Sequence, residues 1–289
     1  MATKSKFSFN LSFLSFKKLT PNKQKQKAFS FINVIPKRIR IVIATLLMMV
    51  LLTISSFFTF TDSWYIFIPI IFLVSYITTY FAVFEGIDRV EWYMLFVVPI
   101  MLAIALYLFY SLLPVRWLTR LPFLILFSLG YYAVLLTMNI FNVGVERSLQ
   151  LYRAAFSINY LTQTFIIFLF VLVILSFRLN FILNAFIIAL LSFFISLQLF
   201  WTVKLEKTFD RKLLIFSGVL ALLLLEVSLL VSFMPIRINV IALILTSFYY
   251  SLTGIVYNYL ADRLFKNTLR EYAFVMVFVL FITVLTLQW

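Results

Sequence analysis

Long apolar blocks, each about a bilayer thick and separated by short polar breaks, make up most of the chain. Nine can be drawn: residues 39–60, 63–84, 92–113, 121–141, 156–177, 180–203, 213–233, 239–260 and 272–289. They hold 18 to 24 residues apiece, and about 20 suffice to cross roughly 30 Å of hydrocarbon as a helix. The alternating ten-residue pattern of a membrane β-barrel is missing, and a helix satisfies its own backbone in lipid. The pattern therefore predicts an all-α fold, a polytopic transmembrane helix bundle with nine spans.

Residues 156–203 would measure about 72 Å as one helix, so the run must turn. Arg178 and Asn180 are the polar break near its middle. Pro69 and Pro99 fall inside the second and third spans and predict kinks, since each removes one helical hydrogen bond. Pro122 is read as lying at a helix start, where proline is well tolerated. Trp289 would sit in an interfacial aromatic belt.

Composition agrees with the pattern. The 289 residues are 64% hydrophobic and 12% charged, whereas an ordinary soluble domain is about a quarter charged. A soluble enzyme and a disordered basic protein are both excluded. With no cysteine and no histidine, thiol nucleophiles, thiolate-held metals, imidazole bases and HExxH sites are excluded too. The five glycines are too scattered for a phosphate loop or a GxxxG seam. No cofactor and no metal site is predicted, and an enzyme is disfavoured.

Charge sets the orientation. With the N-terminus inside, 20 of the 24 basic residues fall on the inner side, and the bias persists without the N-terminal tail. A cell-membrane protein with its N-terminus cytoplasmic and its C-terminus outside is predicted. The net charge of +14 belongs largely to residues 1–38, which carry nine Lys/Arg and no acid. This basic cytoplasmic tail is expected to be disordered and to rest on anionic headgroups, at about 1 kcal/mol per cation. A secretory signal does not fit it, an organellar transit peptide fits less well because the cations are mostly Lys, and no nucleic-acid module accompanies the charge.

Polar landmarks recur. Glu85-Gly86-Ile87-Asp88-Arg89 is echoed by Glu206 to Arg211, and Ser111 to Arg116 by Ser232 to Arg237, 121 positions on. Asn139 is echoed by Asn258, and Glu146-Arg147 with Arg153 by Asp262-Arg263 with Arg270. These matches predict a duplication: a first helix (39–60), then two parallel four-helix repeats, 63–177 (spans 2–5) and 178–289 (spans 6–9). Four helices per repeat would place both in one orientation, about a pseudo-two-fold along the membrane normal.

Glu226 stands among leucines in span seven. A charge at a helix centre costs about 2.5–3.5 kcal/mol on insertion scales, so Glu226 is expected to face protein or water and to find a partner. Arg178, Asn184, Arg237, Tyr107 and Tyr110 are the candidates, Arg178 and Asn184 foremost; the repeat alignment puts Ala105 opposite it. Such a carboxylate is either a proton- or cation-coupling group or one half of a structural pair. Asn139, Asn142, Asn159, Gln163, Gln198 and Asn258 fall in inner halves of spans and are expected to join helices. At the inner surface, Glu85, Asp88 and Glu91 with Arg89 read as an ion-paired turn rather than a Mg²⁺ site. Arg147 and Arg153 could meet a lipid phosphate.

Three functions compete. Transport or translocation of a small or amphipathic molecule rests on the paired repeats and on Glu226. A non-catalytic scaffold or accessory subunit rests on the missing chemistry. A lipid-modifying enzyme would need the inner carboxylates. Membrane lipids are the expected partners, with helix partners or a homo-oligomer besides, and no nucleic acid.

Overall fold

The computed structural model describes residues 36–58, 60–84, 93–114, 116–143, 149–203, 205 and 210–286. Nine helices run through them: α1 (Lys37–Ser55), α2 (Phe60–Val83), α3 (Met94–Tyr110), α4 (Trp117–Val143), α5 (Leu149–Ser176), α6 (Phe181–Trp201), α7 (Arg211–Ser232), α8 (Ile238–Leu260) and α9 (Lys266–Thr286). No strand occurs among the described residues. Eight of the helices are long and apolar enough to cross a membrane, and α3, with 17 residues, is the shorter ninth. The chain is a multi-pass helical membrane protein. Two compact units, Met1–Ile39 and Arg40–Trp289, divide it. Only the opening of α1 is described in the first, and the helix bundle is the second.

Every apolar block has its helix, and the differences lie at the ends. The largest in consequence is α4, which begins at Trp117 rather than at 121. Arg120 N–H already donates to Arg116 O at 3.0 Å, and Thr119 Oγ1 donates to Pro114 O at 2.7 Å and Arg116 O at 2.8 Å, closing a turn before the apolar block starts. Pro122 is therefore inside the helix, not at its start, and Arg120 is a helical residue. Pro69 and Pro99 lie inside α2 and α3 as expected.

The 156–203 run turns where its polar break predicts. Arg178 takes a left-handed conformation, φ 49°, and Asn180 caps α6, its side chain accepting from Ile182 N–H at 3.2 Å. A left-handed conformation costs a residue bearing Cβ about 1–2 kcal/mol, and glycine avoids that cost. Arg178→Gly is therefore expected to leave the thermal midpoint in detergent unchanged or raised. Arg178→Val, a β-branched residue in the same conformation, should lower it. A fall with both, of equal size, would mean that the guanidinium and not the backbone matters there.

Lipid gives helices little hydrophobic reason to associate, so close packing and hydrogen bonds carry the assembly. The central element is α3: twelve of its 17 residues are buried, and it packs against α2, α4, α5 and α6. α6 and α7 make more close backbone approaches than any other pair. Their buried faces explain this, with Ala185, Ala189, Ser192 and Ser196 on α6 and Ser217, Ala221 and Ser228 on α7. Small side chains recurring along one face of each helix let two backbones come together. At the other extreme α9 buries only Val279 and Thr283 and leans on α8.

Within spans 2–5 the helix pairs are α2–α3, α3–α4, α4–α5, α2–α4 and α3–α5, and within spans 6–9 they are α6–α7, α7–α8, α8–α9 and α6–α8, so four of the five recur. α4 and α8 also begin 121 positions apart. The parallel fails both within the first repeat and between the two. The α3–α5 and α5–α8 contacts have no α7–α9 or α4–α9 counterparts of similar extent.

Candidate functional site

Among the described residues, a buried group of polar side chains joins α5, α6 and α8. Asn159 and Gln163 are four residues apart and share a face of α5. Gln198 Oε1, on α6, accepts from Asn159 Nδ2 at 3.1 Å and from Gln163 Nε2. Gln163 Oε1 in turn accepts from the Tyr249 hydroxyl of α8 at 3.1 Å, and Gln198 Nε2 points at Met138 Sδ of α4, 3.9 Å away. None of these four polar residues is more than 1% exposed. Apart from Asn159 Oδ1, which is buried without a hydrogen-bond partner, donors and acceptors are turned on one another, so the group is a dry joint between helices.

Other polar contacts do the same work. Asn142 Nδ2 donates to Val83 O at 2.7 Å, tying α4 to the end of α2. The buried Tyr131 hydroxyl sits 3.1 Å from Ser75 Oγ and 3.0 Å from Thr78 Oγ1. Ser251 Oγ donates to Tyr272 O at 3.1 Å, and Asn258 Nδ2 lies 3.4 Å from the Tyr272 hydroxyl, both joining α8 to α9. The amides thus serve as helix joints, as their positions predict. Asn139 is half-buried and makes no such bond among the described residues.

Glu226 departs from expectation. It is exposed on the outward face of α7. That face is otherwise apolar and bare, running through Val219, Leu222, Leu223, Leu230 and Phe233, with Leu222 61% and Leu230 65% exposed. No hydrogen bond or ion pair reaches the carboxylate from any described residue. The five partners expected for it are otherwise placed. Tyr110 accepts from Arg120 Nε and Tyr107 bonds Ser63. Asn184 is buried and its Nδ2 turns back to Leu179 O at 3.3 Å. Arg178 is exposed in its left-handed turn, and Arg237 is exposed at the start of α8. Glu226, Asn184 and Arg178 therefore form no cluster. The cause is the position of α7 at the edge of the bundle. Ala105, the residue opposite in the repeat alignment, is fully buried in the central α3, so equivalent positions face opposite surroundings.

Where α6 and α8 end and α7 begins, a pocket of about 460 Å³ is lined by Trp201, Asp210, Lys212, Phe216, Tyr259 and Asp262, among others. Asp210 caps α7, accepting from Lys212 N–H at 3.0 Å, and Asp262 turns the chain after α8 with φ 54°. Two carboxylates and a lysine over an apolar floor make a polar rim. Among the described residues no three His, Cys, Asp or Glu gather as metal ligands. Arg153 is exposed on α5. Glu85, Asp88, Arg89, Glu91 and Arg147 lie outside the described residues, as do Trp289 and the basic tail to residue 35.

No family model matches the chain, and no curated protein or solved structure resembles it closely enough to count as a match.

Proposed function

We propose that the protein is a non-catalytic subunit of a membrane complex, docked through the outward face of α7. One observation carries this reading: Glu226 is exposed, unpartnered within the described chain, and flanked by bare leucines about 10 Å from the end of α7. A carboxylate facing hydrocarbon is costly, and a cation or strong donor at the same depth on a neighbouring helix would offset that cost. The described spans offer no exposed Lys or Arg at mid-helix, so charge complementarity points away from a second copy of this chain. It points to a transmembrane segment of another protein carrying Lys or Arg. Transport loses the support it drew from Glu226, because the side chain lines none of the described pockets. Four recurring helix pairs and the repeated polar landmarks favour an internal duplication, against which the unmatched α3–α5 pair stands. The charge bias supports an N-terminus inside and a C-terminus outside the cell membrane. The basic tail would add contacts with anionic headgroups on the inner side.

The cysteine-free chain suits site-specific crosslinking. With a photoreactive residue at Leu222 or Leu230, irradiation of native membranes should trap a second protein bearing a transmembrane Lys or Arg. Glu226→Leu should cut that yield about tenfold, the equivalent of ~1.4 kcal/mol, while the chain stays folded. Glu226→Lys paired with the partner's Lys→Glu or Arg→Glu should restore it. Adducts only with lipid or with a second copy, indifferent to Glu226→Leu, would overturn the reading.

A further inference from the structure

Arg120 lies just ahead of an apolar block, where hydropathy alone makes it a loop cation, and its true setting is unusual. It belongs to the first turn of α4 and is only 5% exposed. Its Nε donates to the Tyr110 hydroxyl at 3.2 Å and its Nη2 to Ser56 O at 2.9 Å. The guanidinium lies over the rings of Phe57 (4.3 Å) and Trp117 (4.8 Å). All of these partners are neutral. Among the described residues no carboxylate reaches it, and its Nη1 makes no hydrogen bond. A buried cation left without an anion is costly unless something neutralises it.

Beside it is a cavity of about 230 Å³ between the ends of α1 and α3 and the start of α2, lined by Ser56, Phe58, Phe60, Tyr107, Tyr110 and Ser111, among others. Three features of this cavity and its surroundings suit an anion. The Tyr110 hydroxyl accepts from Arg120, so its own proton is available to donate. The first amides of α2, beginning at Phe60, have no helical acceptors and carry the positive end of the helix dipole. The Arg120 guanidinium stands directly behind the lining, bound through Nε and Nη2 to Tyr110 and Ser56, which do line the cavity. It places an uncompensated positive charge beside the cavity with Nη1 uncommitted, a planar donor geometry that a lysine does not reproduce. Phe57 and Phe58 of the lining are exposed, as is Trp117, whose ring lies against Arg120, an apolar surface on which acyl chains can lie.

We infer that Arg120 and Tyr110 form a binding site for a phosphate group at the bundle end where α1 terminates. The phosphate comes from an anionic phospholipid headgroup or from free phosphate. The site is independent of α7 and of Glu226.

The test uses the full chain in nanodiscs of phosphatidylcholine containing one-fifth phosphatidic acid, and separately in detergent with millimolar inorganic phosphate. Native mass spectrometry reads retained lipid, and the shift in thermal midpoint reads either ligand. The wild type should retain phosphatidic acid over phosphatidylcholine, or gain stability from inorganic phosphate. The first result assigns the headgroup and the second the free ion. Arg120→Lys and Tyr110→Phe, which keep respectively the charge and the ring, should weaken the bound ligand about tenfold. If the wild type responds to neither ligand, Arg120 merely caps α1 and the inference fails. It fails equally if the folded variants bind as well as the wild type.

Discussion

Gln198→Leu is expected to destabilise the bundle by about 2–4 kcal/mol, read as a fall in the thermal or denaturant midpoint of the purified protein. The side chain is a shared acceptor, and its loss strands the Asn159 and Gln163 amide groups together in a region no more than 1% exposed. Each buried donor left unsatisfied costs about 1–3 kcal/mol. Single hydrogen bonds between membrane helices often measure nearer 0.6 kcal/mol, because the separated helices find other partners. Here three helices fix the groups at once, and leucine offers no substitute. Replacing Asn159, Gln163 and Gln198 together by leucine should recover most of the loss, since removing donors with their acceptor leaves no orphan apart from the Tyr249 hydroxyl. A double-mutant cycle between Gln163 and Gln198 should show strong coupling. A loss below about 0.5 kcal/mol from Gln198→Leu would show that the joint is not dry.

Gly254→Ala should release α9 from α8. A Cβ built on Gly254 falls inside van der Waals contact of the Tyr272 ring and of the Tyr160 hydroxyl. Neither can retreat freely: Tyr160 donates to Tyr250 O, and the Tyr272 ring packs 5.5 Å from that of Tyr250. Overpacking of this kind costs about 1–3 kcal/mol, and α9, with two buried residues, has little else to hold it. A cysteine pair at Ile244 and Val279, which share a small cluster with Val231, would report docking in the otherwise cysteine-free chain. Crosslinking should be efficient in wild-type background, fall severalfold with Gly254→Ala, and return when Tyr272→Ala makes room. Undiminished crosslinking in the Gly254→Ala chain would contradict this packing.

Helix number and the turn at Arg178–Asn180 are legible in the sequence because they depend on block length and local polarity, which residue order displays. The joining role of Asn142, Asn159, Gln163 and Gln198 is legible for a related reason: an amide in lipid has few alternatives to another helix. Which way Glu226 faces is not, because the rotation and edge position of α7 are set by Ser217, Ala221 and Ser228 meeting α6. That seam holds no glycine pair to advertise it, although alanine and serine let the backbones approach as well. The burial of Arg120 is hidden for another reason. Hydropathy marks where an apolar block begins, and the helix has already closed its first turn on Arg116 and Thr119.

The burial of α3 has a consequence for how the protein is made. Its neighbours on two sides, α5 and α6, leave the ribosome after it. At about 25 Å it is shorter than the hydrocarbon it must first occupy, and in the finished bundle it touches protein on nearly every side. Synthesis from the N-terminus therefore delivers the central helix early and ill-matched to lipid, and maturation is the act of α5 and α6 stripping lipid from it. A ribosome stalled before residue 176 would leave the heart of the molecule facing the bilayer.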